Sequence, residues 1–145
     1  MRTKKFRLQL LLTFLLSLGA LNNVHAQDNT YPFTYINPSA QTFTVPSGTS
    51  YLVLIKAYGA GGNGSKLTSS GAAGGGGGGG AYSSSTVLLA SGTYKIYIGK
   101  GGDGNVGSPS DGGDTYITNN AGTVTYVLAK GGKSAANNSA AGVAA

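Results

Sequence analysis

Seven consecutive glycines, Gly74 to Gly80, set the hardest constraint on what this chain can fold into. Glycine loses more conformational freedom on folding than any other residue. Ordering such a run costs on the order of 10 kcal/mol of backbone entropy, comparable to the whole stability of an ordinary domain. Two outcomes are open. The run stays a flexible loop, or its peptide groups find partners. Polyproline II geometry offers the second route. It has three residues per turn, a rise of about 3.1 Å and no internal hydrogen bonds, so its N–H and C=O groups point outward. Without side chains, neighbouring helices of this kind can approach closely and bond laterally. One such helix gains nothing alone. Further glycine clusters at 59–64, 99–113 and 131–132 supply the neighbours.

Between the clusters lie runs with a period of two. In Tyr51–Gly59, Tyr51, Val53, Ile55 and Ala57 share one face, while Leu52, Leu54, Lys56 and Tyr58 share the other. In Thr93–Gly99, Tyr94, Ile96 and Ile98 alternate with Thr93, Lys95 and Tyr97. In Thr123–Lys130, Val124, Tyr126 and Leu128 share a side. Shorter candidates are Gln41–Val45, Ser85–Ala90 and Asp114–Thr118. These β-branched and aromatic runs, bounded by Gly, Pro, Ser and Asn, read as strands. No segment after residue 26 shows a helical period with caps. The expected fold is all-β, of sandwich or jelly-roll type, with glycine-rich loops or packed glycine helices. Turns are expected at Pro46-Ser47-Gly48 and Asn119–Gly122, and a two-residue hairpin at Ser91-Gly92.

The N-terminus reads as an export signal. Arg2, Lys4, Lys5 and Arg7 precede the apolar run Leu8–Leu21, which would form the signal helix, and Val24-His25-Ala26 is a small-x-small site. At 14 residues the run is short for a bilayer, which needs about 20, and no second apolar run follows. The expected organisation is a signal over 1–26, a lead-in over 27–40, a glycine-rich β domain over 41–132 and a small-residue tail over 133–145. The expected location is secreted or at the cell surface.

Removing residues 1–26 changes the electrostatics. The whole chain carries +6, but the remainder holds six scattered lysines against four aspartates, a net +2. That balance gives no clustered basic face for nucleic acid. The remainder also has no His, Cys, Glu, Arg, Trp or Met. The side chains that most often do general acid–base work or bind zinc are thus missing, and a non-enzymatic role with no cofactor is expected.

The succession "FTVPSGTSYLVLIKAYGAGGNGS", "GGGGGGGAYSSSTVLLASGTYKIYIGKGGDG", "GGDTYI" and "VLAKGG" resembles the secreted glycine-rich domain of bacterial surface proteins and phage tail-fibre adhesins. A similar order occurs in the glycine-rich region of receptors of the anaplastic lymphoma kinase type. The match spans roughly residues 41–132. The resemblance implies a β-sandwich-like scaffold bearing packed glycine helices, working in adhesion or recognition. The chain departs from the pattern at Ala90-Ser91, where the family commonly has Pro before the Gly. It departs again at "KSAANNSAAGVAA", which lacks the usual further glycine tract.

Three candidate sites follow. Gly99–Gly104 fits GxGxxG after a strand, but "NVGSPSDGGD" cannot open the helix that a dinucleotide site needs. Asp103, Asp111 and Asp114 lie within 12 residues in a carbonyl-rich loop and would suit calcium. Their simpler role is capping turns through their own backbone. Tyr58, Tyr82, Tyr97 and Tyr116 fall beside glycine clusters or on polar faces. With Gly101, Gly102 and Gly104 they are the candidate contacts for a cell-surface glycan or protein. Packing against flat glycine backbone is the alternative for these rings, whereas Tyr51, Tyr94 and Tyr126 are expected in the core. Asn63-Gly64-Ser65 and Asn137-Asn138-Ser139 match the glycosylation sequon. The expected role is adhesion or surface recognition; the alternative is a structural spacer within a larger surface assembly.

Overall fold

The computed structural model describes residues 29–34, 39–67, 74–103, 109–137 and 143. The expected export segment lies outside them. Two compact units are distinguished, Met1–Pro32 and Phe33–Ala145. Of the first only residues 29–32 are described, and they form neither helix nor strand.

The second unit is all-β, and no helix occurs among the described residues. Its strands are β1 (Gln41–Tyr58), β2 (Tyr82–Tyr97), β3 (Thr115–Asn119) and β4 (Thr125–Ala129). They form one antiparallel sheet in the order β1-β2-β3-β4. The turn at Asn119–Gly122 is as expected. Gly122 takes φ +74°, and the Asn119 carboxamide oxygen accepts from the Thr123 and Val124 N–H groups.

Two expected turns are not chain reversals. Gln41–Val45 and Ser50–Tyr58 belong to one strand, β1, and both pair with β2. Ser91-Gly92 lies inside β2, opposite the register shift between Val45 and Ser50. The two breaks face each other across the ladder, so the ribbon bends there. The left-handed φ of Gly48 (+74°) and Gly92 (+148°) makes the bend.

The bend is sharp. A straight strand of this length would hold Gln41 and Tyr58 about 56 Å apart. Yet the Ala60 N–H donates to the Gly113 carbonyl at 3.1 Å. Gly113 leads into β3, whose Tyr116 pairs with Tyr97, beside the Gln41–Ile96 pair. The far half of the ribbon is therefore folded back over the near half.

That fold-back makes the core. Val45, Ala57, Leu89, Tyr94, Ile96, Ile117, Val127 and Ala129 form one buried cluster drawn from both halves of the ribbon and from β3 and β4. Val53, Ile55 and Ala57 turn inward, whereas Leu52, Leu54 and Tyr58 turn outward. In β4 the expected face is reversed. Val127 and Ala129 are buried, while Val124 and Leu128 are exposed. The register explains this: Val127 sits opposite Ile117 and Ala129 opposite Thr115, both buried, and directly paired residues share a face. Of the three tyrosines expected in the core, Tyr94 is buried and donates its hydroxyl to the Ala90 carbonyl at 2.7 Å. Tyr126 is half-buried, edge-on to Tyr94. Tyr51, next to the bend, is exposed.

Candidate functional site: a backbone-bonded glycine bundle and its tyrosine rims

The folded-back ribbon brings the inner ends of all four strands to one side. Five glycine-rich segments leave or enter there: a first at 59–65, a second at 74–81, a third at 99–103, a fourth at 109–114 and a fifth at 130–135. They bond to one another through their backbones, and the bonds repeat every third residue. Gly59, Gly62 and Ser65 donate to the carbonyls of Ala81, Gly78 and Gly75 at 2.8, 2.9 and 2.8 Å. Ala60 and Asn63 donate to Gly113 and Ser110. Gly132 and Ala135 donate to Ala60 and Asn63, and Gly78 and Ala81 to Lys133 and Lys130. A repeat of three is that of the polyproline II helix; a strand would repeat every two.

The first segment is the hub. One of its three faces gives N–H groups to the second segment. Another gives N–H groups to the fourth and carbonyls to the fifth. The remaining face offers the Gly61 carbonyl to Gly102 of the third at 2.8 Å. The entropy lost by the Gly74–Gly80 run is thus offset by bonds on two sides, to the first and fifth segments.

Glycine is required where backbones meet. A Cβ at Gly77 would fall on the Gly62 and Asn63 carbonyls, and one at Gly80 on the Gly59 carbonyl. Gly59 and Gly62 face Lys130 and Lys133 in the same way, and Gly112 faces Ala60. Gly76 and Gly79, one step of three apart, have nothing within 4 Å of such a Cβ.

Asn63 ties three segments together, a role the sequence pattern did not single out. Its carboxamide oxygen accepts from the Ser110 N–H at 2.7 Å and its amide donates to the Gly64 carbonyl at 2.9 Å. Its main chain bonds Ser110 and Ala135. Its place as the one bulkier residue among the glycines of "GAGGNGS" was the available signal.

The three aspartates do not converge. Asp114 takes the Lys130 ammonium at 2.7 Å and the Gly131 N–H at 2.9 Å. Asp111 takes Lys133 at 2.7 Å and the Ser134 N–H at 2.8 Å. Asp103 meets Lys100 at 3.4 Å, while its N–H donates to the Ser110 hydroxyl. No group of three acidic, His or Cys side chains that could hold a metal occurs among the described residues. Asp111 and Asp114, and Lys130 and Lys133, are each spaced by three. They form a charged ladder along the facing fourth and fifth segments.

This ladder gives the bundle a pH dependence. The Lys133 ammonium, then the Ser134 N–H, hold the Asp111 carboxyl below its ordinary value of 3.8. Lys130, then the Gly131 N–H, do the same for Asp114. A carboxyl depressed in the folded state contributes stability that is complete above its ordinary value and lost as pH falls through the folded one. Lys133 is raised by Asp111, so its contribution disappears only above its ordinary 10.5. We expect a melting temperature that is flat from about pH 5 to 9 and falls below about pH 4. The Asp111→Asn, Asp114→Asn variant should show a shallower acid limb in pH-dependent thermal melts. The effect is modest, because all four side chains are a third or more exposed.

The four candidate tyrosines form two pairs, each directly opposed across a ladder where strands meet the bundle. Tyr97 and Tyr116 stack with centroids 4.5 Å apart and planes 16° apart, and both are half-buried. Tyr58 and Tyr82 lie 5.0 Å apart at 42°, and both are exposed. Gly101, four residues beyond Tyr97 in the third segment, is exposed. Gly102 is half-buried against Asn63 and Ser110. Gly104 lies outside the described residues.

Neither a curated protein nor a solved structure matches the chain. A family model described as a glycine-rich domain matches residues 36–145, taking in the whole sheet and all five bundle segments. The chain therefore belongs to the glycine-rich domain family.

Proposed function

We propose that the chain is a secreted or cell-surface recognition module without enzymatic activity, of the adhesin kind. In this reading the folded-back ribbon and the sheet beneath it act as a small β-sandwich, and the ligand is a glycan or protein of a cell surface. The observation that carries it is the stacked Tyr97–Tyr116 pair, directly opposed where the sheet meets the glycine bundle. Rings held by a sheet present apolar area and two hydroxyls at little entropic cost. The neighbouring glycine backbone adds peptide groups that a flat ligand can approach. Calcium is not part of the proposal, since each of the three candidate aspartates, Asp103, Asp111 and Asp114, is engaged by a lysine.

The test is binding of the labelled chain to cell envelopes and to an immobilised glycan panel. Saturable binding is expected, weakened about tenfold or more in the Tyr97→Ala, Tyr116→Ala variant with its cooperative melt retained. Binding that is unaltered in that variant would overturn the site. A folded chain with no saturable binding would favour the alternative role, a structural spacer, which a bundle held by its own backbone could equally serve.

A further inference from the structure

The β1–β2 ladder does not stop where the strands do. Leu52 pairs with Leu88, Leu54 with Thr86 and Tyr58 with Tyr82. In unchanged register, Gly59, Gly62 and Ser65 then bond Ala81, Gly78 and Gly75. The ribbon and the first two bundle segments are one continuous hairpin. Its outward face has two unlike halves. On one side of the Tyr58–Tyr82 pair stand Leu54, Leu52 and Leu88, respectively 60, 73 and 64% exposed. On the other lies a strip bare of side chains, marked by Gly76 and Gly79, which are exposed and have open space before them. Among the described residues, nothing lies within 4 Å of a Cβ placed at either position, while the Gly76 carbonyl accepts from the Val143 N–H at 3.1 Å.

The halves match in length. Leu88 lies six strand residues from Tyr82, about 20 Å. Gly76 lies six residues from it on the other side, about 19 Å at the threefold rise. A two-fold axis through the tyrosine pair would therefore set the leucines of one copy on the glycine strip of another, and the reverse. This is the self-complementarity an isologous contact needs.

We propose that the chain dimerises through this face, with Tyr58 and Tyr82 of both copies at the axis. Size supports a second copy as the occupant. The three leucines and two tyrosines expose roughly 600–700 Å² per copy, and with the glycine strip this approaches the ~800 Å² per partner of a stable interface. Lys56 is the one charged side chain in the far half of the ribbon, Ser50–Tyr58 paired with Tyr82–Ala90. In this arrangement it meets the partner's glycine backbone, whose carbonyls can accept its ammonium. Tyr97 and Tyr116 take no part, so the dimer stands or falls separately from the recognition site.

Sedimentation velocity on the whole chain over a micromolar concentration series should show a monomer–dimer equilibrium. Leu88→Lys and Gly79→Leu should each weaken it about tenfold or more while leaving the thermal melt in place. Since the chain has no cysteine, cross-linking can fix the geometry. A mixture of Leu88→Cys and Gly76→Cys chains should give a disulfide-linked dimer under mild oxidation. Leu88→Cys alone should not, because the two 88 positions lie about 40 Å apart in the pair. A wild-type chain that stays monomeric throughout the series overturns the dimer. Cross-linking of Leu88→Cys to itself, or association unchanged in Gly79→Leu, overturns the arrangement.

Discussion

Replacing Gly80 with alanine should cost about 3 kcal/mol or more and prevent a stable fold, whereas the same change at Gly79 should be tolerated. The residues are neighbours in a run of identical glycines, so composition cannot distinguish them. The threefold winding does. At Gly80 the new methyl would lie on the Gly59 carbonyl carbon and oxygen. Main chain cannot rotate away as a side chain would, so the first and second segments would have to part. The bonds from Gly59 to Ala81 and from Gly62 to Gly78 would go with them. At Gly79 the methyl enters open space. There it reduces the freedom of the unfolded chain and should stabilise by about 0.4–1 kcal/mol. Gly77→Ala should follow Gly80→Ala, and Gly76→Ala should follow Gly79→Ala. Urea denaturation of the four variants checks this. A flexible loop would give four similar midpoints; a wound segment gives a tolerance pattern that repeats every three residues.

That period is what makes the sequence only partly legible. The strands announce themselves through period-two alternation, and their existence, the all-β class and the Asn119–Gly122 turn can be read from it. The bend could not be. Pro46-Ser47-Gly48 and Ser91-Gly92 are turn signals whether the chain reverses or merely bends. Only their placement opposite each other in the ladder decides, and that is a property of two distant stretches together. The same holds for β4. Alternation divides Val124, Tyr126 and Leu128 from Val127 and Ala129, but only pairing with Ile117 and Thr115 shows which set is inside.

The site was legible to a similar depth. Tyr58, Tyr82, Tyr97 and Tyr116 stand out by their position beside glycine clusters, but their sorting into two pairs depends on register. Asp111 and Asp114 resemble calcium ligands when read as a loop. Read as a threefold helix, their spacing of three puts both on one face, and the spacing of Lys130 and Lys133 supplies the match. A glycine run carries no side chains to show its own period. The period appears only in the charged residues that border it and in the peptide bonds it makes.

Leu89→Ala should be the most damaging change outside the bundle, at about 2–5 kcal/mol. Leu89 and Val45 are the two largest fully buried side chains, and both lie beside the bend. Few other large side chains in the core are as completely buried, so the cavity has little around it that can collapse inward. The consequence reaches beyond the core. The first and second segments bond each other in the register of the ribbon, so that pair can survive wherever the ribbon does. Their bonds to the third, fourth and fifth segments exist only because the ribbon is folded back. Loss of Leu89 weakens the fold-back first. Hydrogen exchange should therefore show an order of failure in this variant. The amides of Ala60, Gly102 and Gly132, which join the ribbon's segments to the others, should lose protection before those of Gly59 and Gly62, which join the ribbon's segments to each other. Uniform loss across all five amides would mean instead that core and bundle melt as one unit, with glycine packing unable to hold even a hairpin once the leucine is gone.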